Sequence, residues 1–115
     1  MIHEICNALD PQFTMIHGRL GRESTLLKNG KYIKDLSYMN RDLKDIIYID
    51  FDDEKAEFHK ENVVILPRWD GDRNDRELYD IMAFLENIGQ SQGGDVRQEI
   101  QKYGREGTGK KYNEV

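Results

Sequence analysis

The sequence predicts an α/β fold, and three observations carry that prediction. Asp45 to Asp50 is a near-continuous apolar run closed by an acid, Asn62 to Leu66 is a second run ended by Pro67, and Asp75 to Ile88 is an amphipathic helix. Short uninterrupted apolar runs are the pattern of parallel strands buried on both faces. A strand at 46–50 is expected to be central and to deliver its carboxylate at its C-terminal end. A second strand is expected at 63–66. The helix places Leu78, Ile81, Met82, Leu85 and Ile88 on one side, the face predicted to cover the sheet.

The remaining elements follow from local chemistry. Ile2, Ile5, Cys6 and Leu9 recur at helical spacing, and Asp10-Pro11 ends that helix because proline restricts the residue before it. This short helix is expected to dock on a sheet. Phe13 to Ile16 is predicted to be extended, and Gly18 to Arg22 to be a loop. Thr25–Leu27 and Tyr32-Ile33 flank Lys28-Asn29-Gly30-Lys31, where Asn-Gly supplies the two positive-φ residues of a type I′ hairpin turn. Gly89 to Gly94 has linker composition, Asp95 is placed to cap a short helix through Tyr103, and residues 104–115 have the content of a mobile tail. The expected division is 1–88 as the folded portion and 89–115 as linker, helix and tail.

Composition narrows the function. The 115 residues carry 17 Lys and Arg against 22 Asp and Glu, a formal charge of −5. That balance argues against nucleic acid as a partner, because phosphate-tracking surfaces are cationic. The hydrophobic fraction is 37%, the charged fraction 34% and the mean hydropathy −0.81. Such a chain has a heavily solvated surface, or completes its core against something else. Cys6 is the single cysteine, so no internal disulfide and no paired-cysteine metal site can form. No run approaches the length of a membrane-spanning helix, and the opening MIHEICNALD has neither signal-peptide nor transit-peptide character.

Several motifs fail on their details. Gly104 to Lys111 has P-loop spacing, but Lys111 stands where a hydroxyl must reach magnesium, and no strand precedes it. Asp70 to Asp75 begins like a calcium loop, but Asp75 replaces the required glycine and Ile81 the bidentate acid. His3, His17 and His59 show no metal-ligand spacing. Asp50-Phe51-Asp52 at a strand end has the spacing of a phosphatase nucleophile pair, but Glu54 occupies the Thr or Val position of that motif. Asp50 is read as the start of a loop, and Trp69 as a packing residue under the final helix.

Taken as an ordered set, three segments are specific: Asn29 to Ser37, Asn40-Arg41-Asp42-Leu43, and Ile46 to Asp50 running on to Glu61–Val64. With Trp69-Asp70-Gly71, Asp75 and Phe84-Leu85, they resemble the second half of the FCP/SCP-like phosphatase domain, a haloacid-dehalogenase-type fold. Asn40-Arg41-Asp42, and Asp95-Val96-Arg97 with Tyr103, resemble the branch formed by presequence-translocase receptors of the mitochondrial inner membrane. The resemblance runs from about Asp10 to Tyr103. It implies a partial haloacid-dehalogenase-like (Rossmannoid) three-layer domain with a β-hairpin.

The resemblance also implies what the chain lacks. The nucleophilic Asp-x-Asp-x-Thr and the following Thr/Ser motif of active members have no counterpart here. Lys34 matches their phosphoryl-holding lysine and Asp50 their strand-end acid, while Phe51 replaces an asparagine that ligates magnesium. Lys34, Asp50 and Phe51 are therefore degenerate motif positions, with no cofactor and no metal implied. Lys34 itself is read as a solvent-facing strand lysine in preference to any phosphate role, since its aspartyl partner is absent and exposed lysine is the rule. The hairpin segment Leu27, Lys28, Asn29, Gly30, Lys31 and Tyr32 corresponds to one that contacts a channel subunit in the receptor branch; partner contact and mere decoration are both open. Half a doubly wound sheet leaves a strand edge and an apolar face in water, at roughly 25 cal/mol per Å². A second polypeptide, or a large assembly, is expected to cover them. The expectation is a non-catalytic component of a multi-subunit mitochondrial inner-membrane complex, on the intermembrane-space side, binding partner subunits or basic presequence peptides. Two alternatives are an accessory subunit of another inner-membrane assembly such as a respiratory complex, and one half of a split phosphatase.

Overall fold

A computed structural model describes residues 1–52, 57–91 and 93–106, arranged as two units that divide between Lys34 and Asp35. In the first unit, helix α1 (Ile2–Leu9) ends where Asp10 precedes proline, its amide donating to the Cys6 carbonyl at 2.8 Å. Only Cys6 of the apolar stripe is buried; Ile2, Ile5 and Leu9 are exposed, which corrects the expected docking of that face. The segment after it is not extended as predicted. Phe13 takes φ of 56°, and the chain bends around the buried Asp10 carboxylate, which accepts the amides of Ile16 (2.8 Å), Met15 (2.9 Å) and Thr14 (3.0 Å). Those amides find in one side chain the acceptor that a neighbouring strand would otherwise supply.

Strands β1 (Leu26–Lys28) and β2 (Lys31–Ile33) form the predicted hairpin, pairing Leu26 with Ile33, Leu27 with Tyr32 and Lys28 with Lys31. Asn29 and Gly30 take φ of 52° and 78°, the left-handed pair that a type I′ turn requires.

In the second unit, one-turn 3₁₀ segments Leu36–Met39 and Leu43–Asp45 lead into β3 (Tyr48–Asp50), and Lys60–Asn62 leads into β4 (Val63–Ile65). β3 and β4 pair in parallel, as expected, with Tyr48 opposite Val63, Ile49 opposite Val64 and Asp50 opposite Ile65. Both strands are shorter than predicted. Successive side chains alternate across the sheet. Tyr48 and Val63 join a cluster with Leu36, while Val64 and Leu66 join one with Ile81, Phe84 and Ile100. The fold is thus mixed α/β, with apolar packing on both faces of a small sheet.

The expectation that the first of these strands is buried on both faces is corrected at Ile49. It is 39% exposed, against 1% for its partner Val64. β3 has β4 on one side, and among the described residues no strand pairs with its other side.

Helix α2 (Glu77–Gln90) starts and ends two residues later than predicted, after Asp75 has accepted the Glu77 amide at 2.8 Å. Its buried side is Ile81 and Phe84, flanked by Leu85 and Ile88; Leu78 and Met82 lie outside it. Asp95 accepts the Arg97 amide at 3.0 Å and caps α3 (Val96–Glu106), as expected. Ile100 is buried in the α2 cluster and the Tyr103 ring lies 4.4 Å from that of Phe84. α3 runs past Tyr103; the rest of the tail expected over 104–115, and most of the P-loop-like spacing, lie outside the described residues. So do Asp53 and Glu54. No helix among the described residues is long and apolar enough to cross a membrane.

Candidate functional site

The acid at the end of β3 is held by its own strand and turn. The Tyr48 hydroxyl donates to Asp50 Oδ2 at 2.7 Å, and the amides of Phe51 and Asp52 donate to Oδ1 at 2.7 and 3.2 Å. The Asp50 carbonyl accepts the Leu66 amide at 2.8 Å, fastening the strand end to the residue after β4. Asp50 therefore caps the start of a loop, as read from the sequence. Burial first, and then the hydrogen bond to Asp50, push the Tyr48 phenol well above the ordinary tyrosine range.

Phe51 is exposed, and the Arg68 guanidinium lies over its ring, 4.7 Å from the centroid. The residues present do not fit a divalent cation. A phenyl ring offers no oxygen to a hard ion, the neighbouring carboxylate is engaged by three donors, and a guanidinium already supplies positive charge beside it. Among the described residues, no three His, Cys, Asp or Glu side chains converge to hold a metal ion.

Lys34 follows β2 in the first unit and is exposed. Asp50 and Phe51 are adjacent in the second unit, so two of the three degenerate positions are side by side and the third belongs to a different body. The six hairpin residues Leu27, Lys28, Asn29, Gly30, Lys31 and Tyr32 are all exposed, with the Arg22 guanidinium 4.9 Å above the Tyr32 ring. The hairpin therefore presents Leu27 and Tyr32, cross-strand partners on one face, beside lysines at its tip.

Trp69 is not the packing residue the sequence suggested. It is 65% exposed, and its indole N–H donates to the Asp72 carbonyl at 2.9 Å within a surface turn. Three polar arrangements, two of them buried, escaped the sequence reading. Asp10 has its carboxyl lowered to about 2, chiefly by the Ile16 amide and further by those of Met15 and Thr14. Asn62 donates to the Leu43 and Ile46 carbonyls at 2.6 and 3.0 Å, tying the approach to β3 to the start of β4. Asp35 Oδ1 accepts from Ser37 and sits 3.0 Å from His59 Nε2; the Ser37 hydroxyl, and next His59, hold its carboxyl below the usual range. Asn62 follows His59-Lys60-Glu61 in the sequence, and nothing in those polar letters signals its burial.

Comparison with known proteins places these observations in a family. The sequence model of the NLI interacting factor-like phosphatases matches residues 1–97. The chain is 37% identical over 102 residues to mitochondrial import inner membrane translocase subunit TIM50-B of Drosophila melanogaster, covering 89% of this chain and 25% of that protein. It is 43% identical over 108 residues to the subunit named tim50 in Aspergillus fumigatus, covering 94% and 21%. It is 37% identical over 99 residues to TIM50 of Caenorhabditis elegans, covering 86% and 22%. The chain thus spans about a fifth to a quarter of the length of these curated relatives.

Proposed function

We propose, for a chain that belongs to the NLI interacting factor-like phosphatase family, a binding role without phosphoryl chemistry of its own. It acts as part of a protein-import translocase of the mitochondrial inner membrane, on the intermembrane-space side, where it contacts partner subunits and basic presequence peptides. The observation that carries this reading is the 37–43% identity, over most of the chain, to proteins named as inner-membrane translocase subunits.

The geometry at the end of β3 supports the non-catalytic part. A carboxylate spent on capping, next to an exposed phenylalanine under a guanidinium, serves structure rather than phosphate transfer. The hairpin supports the binding part: a two-stranded ribbon with Leu27 and Tyr32 in solvent is marginal by itself and gains most when a partner covers it. Among the described residues β3 is paired on one side only, which supports a further strand, from outside these residues, that completes the sheet.

Affinity isolation of the tagged chain from mitochondria, followed by identification of co-purifying subunits, tests the assignment. Inner-membrane import subunits are the expected companions. Recovery of respiratory-complex subunits in their place would assign the chain to the other assembly.

A further inference from the structure

The turn of the hairpin holds the only Asn-Gly pair in the sequence. Asparagine is chemically labile, because the amide nitrogen of the next residue can attack its side-chain carbonyl carbon. Bulk on that next residue, and hydrogen bonds that hold the two groups, restrain the attack. Both restraints are missing at Asn29-Gly30. Glycine has no side chain, and nothing lies within 4 Å of where a Cβ of residue 30 would stand. No other described residue hydrogen-bonds the Asn29 carboxamide or the Gly30 amide, and both residues are exposed.

Ring closure requires Asn29 to leave the left-handed conformation it holds in the turn, φ of 52°. The hairpin resists that little. Its strands pair with each other and with no other described strand, over three residues each, a size that is marginal in water. Elements of this kind open at a small fraction of the cost of global unfolding. Asn40 supplies an internal comparison. It is exposed and has the same left-handed backbone, φ of 55°, but the residue after it is Arg41, whose side chain puts bulk beside the attacking nitrogen.

We infer that Asn29 is a site of spontaneous deamidation that sets a chemical lifetime on the hairpin. The Gly30 nitrogen gives up its proton and bonds to Asn29 Cγ, while the Cγ–Nδ2 bond breaks and ammonia leaves with that proton. Water then opens the cyclic imide. Opening at the side-chain carbonyl gives aspartate. Opening at the main-chain carbonyl gives isoaspartate, with the chain rerouted through Cβ and Cγ. Either product puts a carboxylate between Lys28 and Lys31, and isoaspartate adds a carbon to a turn whose length fixes the pairing of those two lysines. This inference goes beyond the proposed partner contact and does not depend on it.

Incubation of the full chain at neutral pH in heavy-oxygen water, followed by peptide mass spectrometry, tests this, because each deamidation fixes a solvent oxygen. Label is expected in the peptide spanning Asn29, as aspartate and isoaspartate, at a rate within about tenfold of that in the urea-denatured chain. The peptide spanning Asn40 is expected to stay at background. Asn29→Gly keeps a positive-φ pair in the turn and is expected to abolish the label there. Labelling slower than that tenfold limit would show that the folded turn holds Asn29 shut, and would overturn the inference. Equal labelling around Asn40, or label that survives Asn29→Gly, would place the chemistry elsewhere and overturn it as well.

Discussion

The Tyr48 hydroxyl and the Asp50 carboxylate, two residues apart on β3, are joined by a 2.7 Å hydrogen bond. Residues i and i+2 share a face of a strand, so the buried phenol reaches the acid where the strand leaves the core. The bond commits Asp50 to finishing the strand, and it makes Tyr48 a sensor of that contact.

Tyr48→Phe removes the donor while keeping the ring, and is expected to cost about 1 kcal/mol of stability. Urea denaturation of the chain measures it; an unchanged midpoint would show the bond to be idle. Because the folded phenol has its pKa raised, the associated stability is complete below the unfolded tyrosine value of about 10. It is lost as pH rises beyond that value, which ultraviolet titration of the phenolate follows.

Phe51→Asn restores an oxygen at the position where active family members ligate magnesium, yet is expected to confer no magnesium-dependent hydrolysis of p-nitrophenyl phosphate. The Asp50 oxygens remain bound to Tyr48 and to two backbone amides. Turnover above the wild-type background would contradict the capping role.

Asn62→Ala withdraws two donors from the Leu43 and Ile46 carbonyls inside the second unit. The expected loss is about 2 kcal/mol, since buried acceptors left unsatisfied forfeit their solvation. A smaller effect than that of the exposed control Lys102→Ala, read by denaturant midpoint, would show that the clamp carries no weight.

Asp10 carries its stabilisation at neutral pH, because its folded pKa lies below the unfolded carboxylate value. The contribution is complete above about pH 4 and is lost as pH falls toward about 2. Asp10→Asn should therefore destabilise at pH 7, with the difference from wild type shrinking on acidification. A constant difference across that range would mean that the three amides do not depend on the charge.

Leu27→Asp with Tyr32→Ala is expected to abolish co-isolation of import subunits while leaving the far-ultraviolet circular dichroism of the chain intact. Both side chains are solvent-exposed, so their loss removes contact surface rather than core. Undiminished co-isolation would relieve the hairpin of its binding role.

What could be read from the sequence was what short-range chemistry determines. Asn29-Gly30 specified a turn that only positive-φ residues fill, and the runs before Asp50 and Pro67 specified the parallel pair. The face of α2 was placed too far toward Leu78 and Met82, because periodicity reveals an apolar arc and not which part of it the core takes. Phe84 was the cost of that rotation. Trp69 misled because a large ring suggests burial, whereas its N–H is satisfied by Asp72 three residues on. Asp10 and Asn62 were hidden for the opposite reason: polar letters suggest solvent, and the Asn62 partners lie 16 and 19 residues away. Of the candidate site, capping by Asp50 is local and was legible; Arg68 on Phe51 joins residues 17 positions apart and was not.

The claim on which the rest depends is that β3 is not an outer strand when the protein is at work. The Asp50 carbonyl faces β4, so by alternation along a parallel strand the Ile49 amide faces the opposite edge. Hydrogen exchange at Ile49, compared between the isolated chain and the chain in its native assembly, reads that edge. Slowing by at least about a hundredfold in the assembly is predicted, as a paired strand opens only with its neighbours. Equal exchange in the two states would show that no strand of the assembly pairs with the edge of β3 opposite β4.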